Sequence, residues 1–247
     1  MYDLHCHMLP GIDDGARNMD EALSMAELAV ADGVHGVVLT PHVHPGRWEN
    51  THATISAALD GLRAALAANE IPLSVAYAAE VRLSDDILVM VSQNTLPFYG
   101  DIEGYRVMLL EFPHGHIVPG SDKLVKWLMA KKIRPMIAHP ERNKAVMRAP
   151  EAILPFVELG CWLQVTANSV VGGFGAPAAK TAGWLLERDL VSVIASDAHN
   201  LKYRSPQMSR AYAHISDKFG VDRAQRLFHD LPKQVFESAH ETKIQYG

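Results

Sequence analysis

Residues 3–7 read Asp-Leu-His-Cys-His, and residues 196–199 read Ser-Asp-Ala-His. In both stretches one residue separates two potential metal ligands, so on an extended strand both ligands project to the same face. Neutral imidazole and ionised carboxylate form the ligand set that suits zinc, iron or manganese. Such metals generate a hydroxide nucleophile at neutral pH. Two ligand pairs so far apart in the chain predict that distant segments converge on one metal site.

Further histidines and carboxylates lie between these two pairs. They occur in Asp13-Asp14-Gly15, Pro41-His42 and Ala138-His139-Pro140-Glu141-Arg142. Glu80 and Glu111 each end an apolar run, where a carboxylate costs free energy unless it is paired or binds a metal. For either glutamate alone, a salt bridge to a neighbouring basic side chain is the alternative. Asp-Asp-Gly is also an ordinary turn sequence.

Apolar runs predict seven strands with helices between them. The strands are Tyr2–His5, Val34–Thr40, Leu73–Glu80, Arg106–Phe112, Arg134–His139, Cys161–Thr166 and Leu190–Ser196. Helices are predicted at Met19–Ala31, from an N-cap at Ser121 through Met129 and from Pro177 toward Leu186. After Ala198 the chain is predicted to be helical to its end, with helices at Pro206–Phe219 and Asp222–His229. This alternation implies a parallel sheet, and strands this apolar are buried on both faces.

The placement of the candidate ligands favours a closed or nearly closed barrel over an open sheet. They follow the carboxyl ends of at least six predicted strands, which is where an α/β barrel places its site, whereas an open sheet gathers ligands beside one switch point. With 247 residues and 48% hydrophobic content, the chain can bury one large core. We therefore predict an α/β protein with a single domain over residues 1–247.

Composition and missing motifs exclude several functions. A net charge of -5 argues against a nucleic-acid partner, and no apolar run approaches the ~18 residues that span a bilayer, so we expect a cytoplasmic protein without direct membrane insertion. Cys6 and Cys161 are expected to be reduced, buried thiols. Neither has Arg six positions later, as a thiol-based phosphatase requires. The nucleotide-binding Gly-x4-Gly-Lys-Ser/Thr loop and the Gly-x-Ser-x-Gly elbow of serine hydrolases are also missing.

Arg142 and Arg204 are candidates for binding a phosphate group of the substrate. Arg142 follows His139 by three residues, and Arg204 follows His199 by five. Guanidinium groups offer paired donors to phosphate oxygens. The alternative is a surface arginine paired with a carboxylate such as Glu141. Arg47, in another strand-end loop, has a weaker case and is equally consistent with a solvated charge. Loop histidines that could line the substrate entrance or act as a general acid are His44, His114 and His116.

Taken together, these motifs resemble the PHP (polymerase and histidinol phosphatase) superfamily. From Tyr2 to about Leu231 the chain more narrowly resembles bacterial manganese-dependent tyrosine-protein phosphatases of capsule and exopolysaccharide loci, the CpsB/CapC type. The specific motifs are Ile-Asp-Asp-Gly at 12–15, Ile-Ala-His-x-Glu-Arg at 137–142 and Val-Ile-Ala-Ser-Asp-x-His-Asn at 193–200. The resemblance implies a distorted TIM-like (β/α)7 barrel of the PHP type. It also implies dephosphorylation of a phosphotyrosine protein, a bacterial tyrosine kinase of polysaccharide export.

The resemblance further implies three divalent metal ions, with Mn²⁺ favoured and Fe or Zn compatible with the same ligands. One ion would be held by His5, His7, Glu80 and Asp197; Glu80 would bridge to a second held also by Glu111 and His139; Asp14, His42 and His199 would hold the third.

Three other functions are consistent with parts of the sequence. A PHP-type phosphatase could act on a small metabolite such as histidinol phosphate or a nucleotide, but other branches often have histidine where this chain has Asp14 and Glu111. A phosphotriesterase-like amidohydrolase shares the N-terminal His-x-His but bridges its metals with a carbamylated lysine, and no lysine ends a predicted strand here. The third alternative is a non-catalytic metal-binding or scaffolding domain, and the intact ligands at all nine candidate positions argue against it.

Overall fold

Strand β1 (Tyr2–Cys6) starts the core of the protein, and its last four residues are buried. The computed structural model describes residues 1–241. After β1 the elements are α1 (Met19–Ala31), β2 (Gly36–Leu39), β3 (His42–His44), β4 (Trp48–Glu49), α2 (His52–Ala68), β5 (Ser74–Tyr77), β6 (Glu80–Arg82), α3 (Asp86–Ser92), β7 (Gly100–Ile102), β8 (Tyr105–Glu111), α4 (Ser121–Ala130), β9 (Ile133–Ala138), α5 (Lys144–Arg148), α6 (Leu154–Glu158), β10 (Trp162–Thr166), α7 (Ala167–Val170), α8 (Ala176–Glu187), β11 (Val193–Ala195), α9 (Ser209–Phe219), α10 (Val221–Gln225) and α11 (Leu231–Glu241).

The strands form a mixed α/β fold with two hydrogen-bonded sheets among the described residues. The smaller sheet has the order β1-β2-β5, and the larger has the order β11-β10-β9-β8-β6-β3-β4 with β7 beside β8. Within these sheets the only antiparallel pairs are β3 with β4 and β7 with β8. The other pairs are parallel, as the alternation of strands and helices predicts.

The two sheets meet where two long strands break. Between β2 and β3, Pro41 has no backbone N–H to donate to a ladder. Residues 78 and 79 separate β5 from β6, and the N–H of Glu80 donates to the Pro41 carbonyl at 3.1 Å, so hydrogen bonding continues from one sheet into the other. The single strand predicted at Leu73–Glu80 is therefore wrong in one respect, because Glu80 begins β6 instead of ending a strand.

The first and last strands also lie side by side. Cys6 and Ala198 form a parallel bridge, and the N–H of His7 donates to the Ala198 carbonyl at 2.8 Å. Buried Asp3, which accepts a hydrogen bond from the Ser196 N–H at 2.9 Å, adds a side-chain link between the same two segments. The carboxyl end of β1 is consequently adjacent to the chain that leaves β11.

Helix α1 spans the predicted residues because its local signals agree. The side chain of Asn18 accepts from the Glu21 N–H as an N-cap, and Asp20 and Glu21 occupy the first turn. Its buried residues are Ala22, Met25, Ala26 and Ala29, at the three- and four-residue spacing of one helix face. None of the helices within residues 1–241 is both long and apolar enough to cross a membrane.

Helix α4 begins differently from the prediction. Gly120 occupies the N-cap position with a φ of 88°, a left-handed conformation that glycine adopts without steric cost. Ser121 is the first residue of the helix, and its hydroxyl donates to the Val118 carbonyl at 2.6 Å. The prediction of Ser121 as the N-cap is therefore wrong, although the helix itself lies where the pattern indicates.

Helix α9 begins three residues later than the predicted start at Pro206. The carboxylate of Asp32, just after α1, accepts hydrogen bonds from the N–H groups of Met208 at 2.6 Å and Ser209 at 2.8 Å. These bonds satisfy donors that a helix N-terminus leaves free, so a residue distant in sequence fixes where α9 begins.

The second of the two predicted C-terminal helices extends beyond its predicted bounds. A π-helical segment, Arg226–Asp230, joins α10 to α11, so the helix predicted at Asp222–His229 continues to Glu241. Residues 242–247, which the predicted helical C-terminus and the predicted domain also include, lie outside the described residues.

Candidate metal centre

The carboxyl end of β1 carries the innermost candidate ligands. The Nε2 atoms of His5 and His7 lie 3.2 Å apart, while Cys6 between them packs in the hydrophobic core. Glu80 Oε2 is 3.4 Å from Nε2 of His5 and 3.3 Å from Nε2 of His7. Asp197 Oδ1 is 3.2 Å and 3.5 Å from the same two nitrogens. All four ligand side chains are at most 1% exposed, so they form a closed inner cluster.

A second group of candidate ligands lies between this cluster and the solvent. Asp14 Oδ1 is 3.2 Å from His42 Nε2 and 3.5 Å from His199 Nε2. His42 also reaches inward, with Nδ1 3.0 Å from Glu80 Oε2. The Asp14 side chain is 43% exposed, whereas that of His199 is 4% exposed. Asp14 therefore faces the opening of the site.

His139 and Glu111 complete the set. His139 Nε2 lies 2.9 Å from Glu80 Oε1, and Glu111 Oε1 lies 2.8 Å from Arg82 Nη1. The salt bridge that sequence alone left open for Glu111 is thus present, while the same carboxylate is close enough to His42 and Glu80 to share a metal with them. Within residues 1–241, candidate ligand atoms within 4.8 Å of one another form four groups: His7, Asp14, His42 and His199; His5, His7 and Glu80; His5, His139 and Asp197; and His42, Glu80 and Glu111.

Two carboxylate oxygens of the inner cluster lack hydrogen-bond donors. Glu80 Oε2 and Asp197 Oδ1 are buried and accept no hydrogen bond of acceptable geometry from the part of the chain that the structure describes. A buried carboxylate is costly unless it is paired or coordinates a metal. Here the two oxygens face imidazole nitrogens, which together with carboxylates bind zinc, iron or manganese. The residues present therefore fit divalent metal ions.

The electrostatics of the cluster also favour cations. Burial by itself lowers the pKa of His7, but the carboxylates of Asp13 and Glu80 outweigh it and raise the pKa to about 9. For His42, burial is likewise outweighed, chiefly by Glu80 and Asp14, and the pKa rises to about 11. The pKa of His199 instead falls to about 4, because of burial and the neighbouring His7. The carboxylates thus place strong negative potential on the imidazoles, and that potential attracts a metal cation equally well.

Two of the candidate ligands have left-handed backbone conformations. His139 has a φ of 32° and Asp197 a φ of 52°, values that are uncommon for residues other than glycine and that often occur at functional sites. Asp197 is therefore in a turn that follows β11, and the expectation that Asp197 and His199 lie on an extended strand is wrong. The turn still directs both side chains to the cluster, since His199 Nδ1 is 3.6 Å from Asp197 Oδ1.

Arg142 and Arg204 converge on one oxygen of the cluster. Both guanidinium groups contact Asp197 Oδ2, that of Arg204 at 2.5 Å, and Arg142 lies over the Phe174 ring at 4.3 Å. The alternative partner of Arg142, Glu141, instead accepts hydrogen bonds from Thr166 and Ser169. Neither arginine is a fully solvated surface residue, since their side chains are 17% and 25% exposed.

Two cavities adjoin the cluster. One, of about 260 Å³, is lined by several candidate ligands and by His44, Arg47, Arg82, His114, Arg142 and Arg204. Arg47 thus lines the same cavity as Arg142 and Arg204, whereas His116 does not line it. The other, of about 390 Å³, begins at Asp14 and His199 and extends over Arg17, Leu201, Lys202 and Tyr203. The candidate metal centre is accessible from both.

Three side chains at the site had no metal-site role in the sequence analysis. Arg82 pairs with Glu111, Gln164 contacts His5, and Asp13 contacts His7. Arg82 lies two residues after Glu80 on β6, and Gln164 is a polar residue inside an apolar strand. A search for polar residues within apolar runs would have found Gln164, whereas Asp13 required its contacts to be known.

The two cysteines do not contribute a nucleophile. Both are free and buried, and burial raises the pKa of Cys161 to about 12 and that of Cys6 well above its ordinary value. Since the thiolate is the reactive form, thiol chemistry at either position is disfavoured, in agreement with the sequence.

The fold and the cluster define an α/β protein with a candidate metal centre, and sequence comparison gives its family. Residues 1–237 match the family model described as "Capsular polysaccharide synthesis, CpsB/CapC". The chain is 34% identical to tyrosine-protein phosphatase YwqE of Bacillus subtilis, over 97% of this chain and 90% of that protein. It is 30% identical to tyrosine-protein phosphatase CpsB of Streptococcus pneumoniae, over 95% of this chain and 98% of that protein. The chain belongs to the CpsB/CapC family.

Structural comparison agrees with this family assignment. A chain from crystal structures of YwqE from Bacillus subtilis and CpsB from Streptococcus pneumoniae, described as metal-dependent tyrosine phosphatases, superposes with a TM-score of 0.84 and 32% identity. The match covers 97% of this chain and 93% of the other.

Proposed function

We propose that this protein is a metal-dependent tyrosine-protein phosphatase. The observation that carries the proposal is that Arg142 and Arg204 converge on Asp197, which itself lies against the His5–His7 pair. Groups that bind phosphate oxygens are thereby adjacent to groups that bind metals. The similar curated proteins are named tyrosine-protein phosphatases, which supports the same activity for this chain.

We further propose that the centre holds three divalent metal ions, with Mn²⁺ as the native metal. The proposed division is His5, His7, Glu80 and Asp197 for the first ion, Glu80, Glu111 and His139 for the second, and Asp14, His42 and His199 for the third. Because Glu80 belongs to two of the four groups and its Oε1 lies 2.9 Å from His139 Nε2, it is suited to bridge two ions. Fe and Zn accept the same ligands. When bound, the metals would supply Lewis-acid activation of water and neutralise charge on the phosphoryl group.

The chain's own contribution is to bind the phosphate group through positively charged side chains. Asp197 offsets the repulsion between Arg142 and Arg204, so two cations can remain together at the edge of the cavity. Phe174 supports the Arg142 guanidinium from one side. Each guanidinium has several donors in a fixed plane, and the donors not directed at Asp197 are available to phosphate oxygens. Arg47 would add a third positive charge at the opening of the same cavity.

Two of the loop histidines, His44 and His114, are poorly suited to act as general acids. Burial and the nearby Arg82 lower the pKa of His44, and burial and the nearby Lys144 lower the pKa of His114. A lowered pKa favours the neutral ring, which is a poorer proton donor than the imidazolium ion. A tyrosine leaving group has a pKa near 10, so its departure as phenolate needs less protonation than that of an aliphatic alcohol.

We also propose the cellular setting that the resemblance implies. The substrate would be phosphotyrosine on a bacterial tyrosine kinase of polysaccharide export, in agreement with a family described by capsular polysaccharide synthesis. The proposed location is the cytoplasm, which suits two free cysteines. Nucleic acid and the membrane interior are not proposed as partners.

We also propose that the fold is a barrel. Residues 1–247 would form one domain, a distorted TIM-like (β/α)7 barrel of the PHP type. Its seven strand units would be β1, β2 with β3, β5 with β6, β8, β9, β10 and β11. Hydrogen bonds between the first and last units at Cys6 and Ala198 support closure.

A direct comparison of substrates tests the proposed activity. Purified protein loaded with Mn²⁺ is assayed with a phosphotyrosyl peptide and with histidinol phosphate, and bound metal is measured on the same sample. We expect higher kcat/KM for the peptide and three metal equivalents. Equal or greater turnover of histidinol phosphate would instead assign the site to a small metabolite.

A further inference from the structure

We propose that Asp13 and Gln164 are positioning residues that determine which nitrogen of His5 and His7 faces the metals. Each holds the ring of one histidine in this pair and the backbone N–H of a ligand from another strand end. The inference rests on the ligand set of the proposed function, but it concerns two side chains outside that set.

Gln164 acts on His5 and His139. It is fully buried on β10, and its Oε1 lies 2.8 Å from His5 Nδ1 and 3.3 Å from the backbone nitrogen of His139. A backbone N–H only donates, so the amide oxygen, not the amide nitrogen, must face it. The same oxygen then requires a proton on Nδ1 of His5. Nε2 is the nitrogen that remains for a metal.

The other end of the Gln164 amide supports this orientation. Its Nε2 is buried and finds no acceptor among residues 1–241. A buried unpaired donor is destabilising, so the side chain is held in place by the hydrogen bonds that its oxygen accepts. Gln164 therefore acts as an acceptor. A carboxylate could replace it in this role, whereas an apolar side chain of similar size could not.

Asp13 acts on His7 and His42 in the same way. Its Oδ2 lies 2.7 Å from His7 Nδ1 and accepts the His42 backbone N–H at 3.1 Å, while Oδ1 accepts the Gly15 N–H at 2.9 Å. Two backbone donors thus fix the carboxylate before the imidazole is considered. His7 must donate from Nδ1, and its Nε2 is left free.

The two contacts act on one small region. They orient two Nε2 lone pairs to positions 3.2 Å apart, facing the unpaired oxygens of Glu80 and Asp197. Donation of the remote imidazole N–H fixes the ring and makes the other nitrogen a better ligand, and loss of such a partner typically reduces metal affinity or activity by about 10- to 100-fold. Because Gln164 and Asp13 also restrain the backbone of His139 and His42, each contact positions two ligands at once.

Metal affinity, rather than turnover, tests the proposal. Mn²⁺ is titrated calorimetrically into metal-free wild-type protein and into Gln164→Leu, Gln164→Glu and Asp13→Ala. We expect Mn²⁺ affinity to fall about 10- to 100-fold in Gln164→Leu and to remain at or above the wild-type value in Gln164→Glu, which keeps the acceptor. Asp13→Ala removes the acceptor of His7, and its Mn²⁺ affinity should also fall about 10- to 100-fold. This variant tests the proposal independently if Gln164→Leu does not fold.

Thr181→Val is the matched control for losing a buried polar group. Thr181 is buried on α8 and donates to the Pro177 carbonyl at 2.9 Å, away from the metal centre. Its Mn²⁺ affinity should match wild type even if the thermal stability of the metal-free protein falls. Wild-type affinity in Gln164→Leu or in Asp13→Ala, or a loss in Gln164→Glu as large as in Gln164→Leu, would overturn the inference while leaving the proposed function intact. Failure of the wild type itself to bind Mn²⁺ would overturn both.

Discussion

At the scale of single residues, Glu111 has two competing partners. Its carboxylate pairs with Arg82 at 2.8 Å and also lies within reach of His42 and Glu80. If Glu111 is a metal ligand, Glu111→Gln should lose about one metal equivalent, because a neutral amide replaces an anionic ligand. Arg82→Gln keeps the carboxylate and should keep all the metal. Elemental analysis of the two purified variants distinguishes these outcomes.

The opposite result is equally informative. Equal metal content in Glu111→Gln and wild type would make Glu111 only the partner of Arg82. In that case the free energy of unfolding measured in urea should fall by similar amounts in the two variants, since each breaks the same ion pair.

The two arginines at Asp197 give a second prediction at this scale. Arg142→Lys and Arg204→Lys each keep a positive charge but lose the planar set of donors that matches phosphate. Hydrogen bonds to charged groups contribute about 1.5–3 kcal/mol, so kcat/KM for a phosphotyrosyl peptide should fall about 10- to 100-fold. Steady-state kinetics with parallel metal analysis measures this. A fall in bound metal of the same size would instead mean that the arginines act by holding Asp197.

At the scale of elements, the loop after β1 tolerates no side chain at Gly15. A Cβ at this position would overlap the carbonyl oxygen and the Cβ of His7, and the adjacent Ala16 N–H is bonded to that same carbonyl at 3.0 Å. We expect Gly15→Ala to destabilise the protein by about 1–3 kcal/mol, as overpacking does, and to displace the loop that carries Asp13 and Asp14. Urea unfolding of the metal-free protein measures the change.

Gly61 provides the matched control for this substitution. It lies within α2, and a Cβ there meets only Met19 Cε at 3.8 Å. Gly61→Ala should therefore stabilise the protein by about 0.5–1 kcal/mol, because alanine loses less conformational entropy in a helix. If the free energy of unfolding falls in Gly15→Ala and rises in Gly61→Ala, the loss at Gly15 is due to its close approach to His7. A stability of Gly15→Ala equal to that of wild type would contradict it.

The elements also show which parts of the fold are local. Helix α1 follows from Asn18, an acidic first turn and apolar spacing, all within the segment itself. The start of α9 does not, because its first donors bind Asp32, which is 176 and 177 residues away along the chain. The break before β6 was equally hidden, since it depends on how Glu80 pairs with Pro41 in the neighbouring strand. Patterns within a segment predict its type, while its ends depend on distant partners.

At the scale of the whole molecule, residue chemistry and strand position indicated most of the candidate ligands, but not their contacts, and Asp14 was assigned only by the family resemblance. His5 and Asp197 were predictable as strand-end groups, and the structure brings them within 3.2 Å. The left-handed turn at Asp197 was not predictable from an alternating pattern. Nor was the choice of Asp197 over Glu141 as the partner of Arg142. These two features depend on contacts between segments far apart in the chain, such as the bridge between Cys6 and Ala198.

The contact between the first and last strands leads to a prediction for the entire chain. The candidate ligands extend from His5 to His199, so bound metals would link the first and last strand units. Metal that binds only the folded state at a hundredfold excess over Kd stabilises it by about 2.7 kcal/mol. Since about 1 kcal/mol shifts Tm by about 2–4 °C at this chain size, chelation should lower Tm by roughly 5–10 °C and added Mn²⁺ should restore it. Thermal unfolding of wild type and Asp197→Ala, with and without Mn²⁺, checks this: the variant should lose most of the shift, whereas an unchanged shift would show that the stabilising metal binds elsewhere.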